Sequence, residues 1–120
     1  MRNTTQAGAF LSPYQEFSPI FNFVKNNISR QIEVKELADL ANLSISQFER
    51  RFKKIMNITP LKFINKMRID KACELLIQTN DTLSSISYDC GFFDHSHFTK
   101  IFKKIKGISP SQYRKQYLLN

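Results

Sequence analysis

Apolar positions along this chain recur at helical spacing, and in one stretch their direction changes. Residues 59–78 carry no break after Pro60 and read as one long helix. Thr59 is a suitable N-cap, since its hydroxyl can accept from an orphan N–H, and Pro60 suits the first helical position. At about 100° per residue, Leu61, Phe63, Ile64 and Met67 share one side. Ile69, Ala72, Cys73, Leu75 and Leu76 centre on another side, roughly a third of a turn or more away. A helix packed on one core keeps one stripe. The change predicts a strut between two cores, with a single helix apolar nearly all round as the alternative.

The flanks read as shorter helices. Ser18-Pro19 starts one, with Ile20, Phe21, Val24 and Ile28 inward as far as about residue 29, and a break covers 30–33. Val34, Leu37, Ala38 and Ala41 face inward on a short helix over 34–41, and Asn42-Leu43 turns the chain. Ser44 then opens a longer helix, with Gln47 completing a capping box. Its stripe is Ile45, Phe48, Phe52, Ile55 and Met56, and Asn57 ends it. After the strut, 80–82 breaks the pattern. Leu83, Ile86 and Cys90 line a short helix ended by Gly91. Asp94 caps a helix striped by Phe98, Ile101, Phe102 and Ile105, and Gly107 stops it. Ser109-Pro110 opens a last helix to about residue 117. No strand pattern occurs, so the expected class is all-α with about seven helices. Residues 1–16 lack periodicity and read as a flexible tail or linker.

The two flanks repeat each other. Phe48, Phe52, Lys53, Lys54, Ile55, Asn57, Ile58, Thr59, Pro60 and Phe63 return 50 positions later as Phe98, Phe102, Lys103, Lys104, Ile105, Gly107, Ile108, Ser109, Pro110 and Tyr113. Upstream the offset is 49, Asn42 matching Gly91, so the second turn holds one more residue, at Phe92-Phe93. Each copy is a short helix, a tight turn and a longer helix with a basic outer face, which is the helix-turn-helix pattern. The expected division is a first unit at 17–58, a connecting helix at 59–79 and a second unit at 80–120.

Charge narrows the partner. Eighteen Lys and Arg against ten Asp and Glu leave a formal charge of +8 on 120 residues. A small basic protein suits a polyanion: DNA, RNA or an anionic membrane. No run approaches the roughly 18 apolar residues of a membrane span, and the start lacks a signal-peptide core, so the cytoplasm is the expected location. Cys73 and Cys90 sit in apolar helical positions without a CxxC neighbour and read as buried reduced thiols. His95 and His97 lie two apart on a helix, point to different sides, and have no third ligand nearby in sequence; no metal or other cofactor is expected. No nucleophile–base set or Gly-rich phosphate loop is present, so no enzymatic activity is expected.

The run ISYDCGFFDHSHFTKIFKKIKGISPSQYR, at 86–114, closely resembles the signature of the AraC/XylS family of bacterial transcription regulators. The resemblance extends over about 20–117. It includes Leu37-Ala38, Ser44, Phe48, Arg50, Phe52, Arg68, Ala72, Leu75-Leu76, Gly91-Phe92 and Tyr113-Arg114. Ser87 departs from a usual Ala, Asn57 from a usual Gly, and His97 from a common aromatic. The resemblance implies two homeodomain-like helix-turn-helix units on a long central helix. Their recognition helices would enter successive major grooves of double-stranded DNA, with RNA polymerase as an expected further partner and no membrane. Tandem units in one chain need no two-fold symmetry, so the site should be asymmetric. A basic helical adaptor for protein or RNA is the alternative. The inward direction of the Phe residues speaks against single-strand stacking.

By position, Ser46, Glu49 and Arg50 match residues that reach base edges in the family, and Gln47 is close enough to join them. Arg50 can clamp guanine O6/N7, or contact a phosphate instead. Glu49 can accept from cytosine N4, though pairing with Lys53 one turn on is the favoured reading. The second helix offers Ser96, His97 and Lys100, with His95 and Thr99 at the margin. Lys53, Lys54, Lys103 and Lys104 are phosphate candidates, or simply a solvated face. Arg68 is expected to hold a structural ion pair and no DNA role. Many family members carry an effector-sensing or dimerising domain ahead of this unit; the chain reads as an excised C-terminal domain, which the linker-like start favours, or as a complete small regulator.

Overall fold

A computed structural model describes residues 12–118. Eight helices, and no strand, follow one another among the described residues: α1 (Pro13–Glu16), α2 (Ser18–Asn26), α3 (Val34–Leu40), α4 (Ile45–Met56), α5 (Pro60–Gln78), α6 (Leu83–Asp89), α7 (His95–Lys106) and α8 (Pro110–Tyr117). The all-α class stands. One short helix joins the seven expected. Of the stretch read as a tail, residues 1–11 lie outside the described residues. The remainder forms α1, capped by Ser12, whose hydroxyl accepts from the Tyr14 N–H at 3.1 Å. Its Glu16 receives a forked bond from Arg51, at 2.5 and 2.6 Å. Partners 35 residues apart are invisible to a local pattern.

The helices gather into two compact units. The first takes residues up to Asn26 together with Glu33–Pro60. The second takes Asn27–Ile32 and the chain from Leu61 on. In the first, α3 packs on α4, and α1 and α2 close the other side. Phe17, Ile20, Val24, Leu37, Ala38, Phe48 and Phe52 are buried. The Phe17 ring lies 5.1 Å from Phe52 and 6.1 Å from Phe48, the latter edge-on. Such aromatic pairs add to simple burial. The second unit closes over Ile69, Ala72, Cys73, Leu76, Ile86, Cys90, Phe92, Phe98 and Phe102.

On α5 the buried positions shift from Phe63 and Ile64 to Ile69, Ala72, Cys73 and Leu76, which is the change of face read from the sequence. Some stripe ends are wet. Ile45, Leu61 and Ile105 are exposed despite their apolar register. Ile45 and Leu61 stand in first turns, where the Cα–Cβ bond leans toward the N-terminus and off the end of the helix.

Both turns follow the repeat. Residues 41–44 join α3 to α4, and 90–94 join α6 to α7, one residue longer. Asn42 and Gly91 take φ of 58° and 88°; Asn57 and Gly107 end α4 and α7 at 65° and 82°. The N–H groups of Asn57 and Gly107 bond the Lys53 and Lys103 carbonyls, each at 2.8 Å. Left-handed C-caps close both long helices.

Among the described residues Arg68 holds no ion pair. Its buried guanidinium donates to the carbonyls of Ile28, Cys90 (3.0 Å) and Arg30 (3.0 Å). Backbone oxygens reach it because the segment Asn27–Ile32 belongs to the second unit. Arg114 works similarly at the end of α5, donating to the carbonyls of Leu76 (3.0 Å), Thr79 (3.1 Å) and Asp81 (2.7 Å). The Leu76 oxygen is one that a helix end leaves without an intrahelical partner, and the other two belong to the segment that follows the helix. Cys73 and Cys90 are free and buried, as expected, and burial pushes the Cys90 thiol up to about 12. Among the described residues, no helix is long and apolar enough to cross a membrane.

Candidate nucleic-acid interface

Two aromatic anchors set the direction of α4. Phe48 and Phe52, one turn apart, are fully buried, so the opposite side must face water. That side carries Ser46, Glu49, Arg50, Lys53 and Lys54. With Thr59 and Pro60 they line one shallow hollow of about 630 Å³ in the first unit. No hydrogen bond or ion pair among the described residues holds Arg50. Its neighbour Arg51, identical in chemistry, is tied to Glu16. The forked Glu16 bond lowers the Glu16 pKa and raises that of Arg51.

Of two expected details on α4, the Gln47 capping box forms and the Glu49–Lys53 pair does not. Gln47 does not line the hollow. Its Oε1 accepts the Ser44 N–H at 3.2 Å, and its own N–H donates to Ser44 Oγ at 3.2 Å. The capping box engages the amide oxygen that a base contact would use. The favoured Glu49–Lys53 pair does not form, although both side chains line the hollow. An exposed pair of this kind gains little against the entropy of holding two long side chains together.

Phe98 and Phe102 are buried in the same register on α7. Ser96, Lys100, Lys103 and Lys104 stand exposed 50 positions after Ser46, Arg50, Lys53 and Lys54. The helix contains no carboxylate. Asp94 caps it, its Oδ1 accepting the Ser96 N–H at 2.9 Å. His97 departs from the group. Its ring meets Phe92 edge-on at 5.6 Å, and it lines a separate hollow of the second unit with Asp94 and Phe93. His95 leans on Phe98, at 6.1 Å, and Thr99 bonds the His95 carbonyl at 3.0 Å. Lys53, Lys54, Lys103, Lys104 and Lys106 occupy last turns, where a cation also offsets the helix dipole. α4 and α7 thus each offer hydroxyl and cationic donors, α4 also the Gln47 amide, on a helix of a size that fits a DNA major groove.

Known proteins are similar to this chain in sequence and in fold. Residues 37–116 match the family model described as a helix-turn-helix domain. The probable transcriptional regulator LumQ of Photobacterium leiognathi is 35% identical over 95 residues, which is 79% of this chain and 38% of that protein. This chain spans about a third of the length of the curated relatives it matches. A crystal structure of a transcriptional regulator with an AraC-type DNA-binding domain, from Chromobacterium violaceum, is similar with a TM-score of 0.81. It is 26% identical and covers 92% of this chain and 96% of its own. The DNA-binding domain of AdpA, solved in complex with a target DNA, gives 0.79 at 25% identity, covering 85% of this chain and 92% of its own.

Proposed function

Because this chain belongs to the AraC/XylS family of helix-turn-helix DNA-binding transcription regulators, we propose that it reads one asymmetric duplex site with α4 and α7 in successive major grooves. The observation that carries this reading is the repeated face. Ser46, Arg50, Lys53 and Lys54 return as Ser96, Lys100, Lys103 and Lys104, each set opposite two buried phenylalanines. Major grooves facing one way recur about every 34–36 Å, and α5 is the spacer in this reading.

Roles follow from side-chain chemistry. Arg50 is the base reader of the first unit, its guanidinium suited to guanine O6/N7. Ser46 and Glu49 flank it, Glu49 as an acceptor for cytosine N4. Gln47 keeps only its amide N–H groups for this purpose. In the second unit Ser96 and Lys100 read, and His97 stands at the edge. Lys53, Lys54, Lys103 and Lys104 take phosphates, which position the protein without carrying sequence information. An effector-sensing or dimerising domain in a longer chain, RNA polymerase as a protein partner, a cytoplasmic location and the absence of catalysis complete the proposal.

Selection of bound duplexes from a random library at fixed salt tests it. Enrichment of one non-palindromic site with two conserved patches about one helical turn apart is expected. Binding of RNA or of random duplex with equal affinity would favour the basic-adaptor reading instead.

A further inference from the structure

Phe93 is the residue by which the second turn exceeds the first. In the first turn Leu43, directly before the cap Ser44, is half-buried. In the second, Phe92 goes inward, its ring 5.3 Å from Phe98 and 5.6 Å from His97. Phe93 then stands between that packed ring and the cap Asp94, and it is 81% exposed, the most exposed large apolar side chain among the described residues. A phenyl ring left in water forgoes its burial energy and does little for the fold.

We infer that Phe93 determines specificity in the second reader, its ring packing on the C5-methyl group of a thymine in the major groove. The inference rests on the proposed DNA reading and adds a residue to it. Three observations favour a base edge over the alternatives. Phe93 adjoins the N-terminal end of α7, the end from which recognition helices contact bases. The Asp94–Ser96 bond at 2.9 Å fixes the start of α7 one residue after Phe93, so Phe93 and Ser96 both belong to the N-terminal end of that helix. The ring is uncharged and directly precedes the acidic residue Asp94, with which it lines one hollow, so a phosphate is a poor neighbour there. Among major-groove edges, thymine alone of the four bases shows a methyl group, and Phe is among the side chains suited to it. The first unit has no inserted residue, so the thymine preference belongs to one half of the site.

The test uses the full chain and a duplex enriched from the random library, with each thymine replaced in turn by deoxyuridine. One replacement should weaken wild-type binding about three- to tenfold. Phe93→Ser should lose about the same on the parent duplex and nothing more on the replaced one, with an unchanged salt slope. Phe93→Leu should keep part of the preference. Unchanged thermal unfolding of both variants confirms that the fold is intact. Equal binding of the parent duplex by wild type and Phe93→Ser, or the same deoxyuridine loss in both, overturns the role of Phe93 and leaves the DNA reading standing. Failure to enrich any duplex sinks both.

Discussion

The Arg68 guanidinium lies in the space that a Cβ on Gly91 would occupy. Built there, that atom would overlap the guanidinium and the Ile28 carbonyl. Gly91 also carries a φ of +88°, which side chains rarely adopt. Two demands therefore meet in one residue. Gly107 shares the second alone, since a Cβ there meets nothing within 4 Å. Gly107→Ala should cost about 1–2 kcal/mol of unfolding free energy, from backbone strain. Gly91→Ala should cost roughly 3–5 kcal/mol, because the guanidinium must also leave its carbonyl partners. Urea titration of both variants checks this, and equal losses would show that Arg68 moves aside without cost.

Asn57 holds the cap that Gly107 holds in the second copy, at φ 65°. Asn57→Gly should leave stability equal or raise it by up to about 1 kcal/mol, whereas Asn57→Ala should lower it by about 1 kcal/mol. Paired melting curves read the sign, and a clear loss on Asn57→Gly would refute it.

Glu16 and Arg51 tie α1 to α4, and the bond holds the Glu16 carboxyl below its ordinary value of 4.5. A lowered folded-state pKa stabilises the fold at pH values above the unfolded pKa, and the contribution fades as pH falls through the folded pKa. Wild type should therefore be more stable than Glu16→Gln at pH 7, and the gap should be smaller at about pH 3, below the ordinary carboxyl value of 4.5. Chemical denaturation at both values decides the matter; a gap that persists undiminished in acid would mean that the carboxylate charge is not its source.

Arg50 and Lys103 should fail in different ways. Arg50→Ala is expected to cost about 1–3 kcal/mol on the selected site and relax one base preference. Lys103→Ala should weaken selected and random duplexes alike and reduce the salt slope by about one. Fluorescence anisotropy across a salt series separates them. Equal losses on both duplexes for Arg50→Ala would reassign it to the backbone.

Buried thiols make a further expectation. Cys90 has no exposure and a pKa pushed up to about 12, and burial raises that of Cys73 as well. Thiolate is the reactive form. Reaction of both with a disulfide reagent at pH 8 should wait on unfolding, running at least about a hundredfold slower than in urea. Rapid labelling of the native protein would show that either site opens locally.

Local periodicity determined a great deal in this chain. Seven of the eight helices among the described residues, both left-handed stops and the extra residue of the second turn were legible, because each depends on neighbours within about four positions, whereas α1 fell in the stretch read as a tail. The repeat carried the basic faces with it, since phenylalanines at 48, 52, 98 and 102 leave one side for water. Tertiary structure decided what depends on distant partners. Arg68 found carbonyls at Ile28, Arg30 and Cys90 rather than a carboxylate, and Gly91 proved to be the room for it. Arg51 met Glu16 across 35 residues, which distinguished it from Arg50. Phe92 and Phe93, adjacent and identical in sequence, were assigned to core and solvent only by the packing around Phe98. A helical pattern records which side of an element faces inward; only the assembled chain supplies the atoms that meet it there.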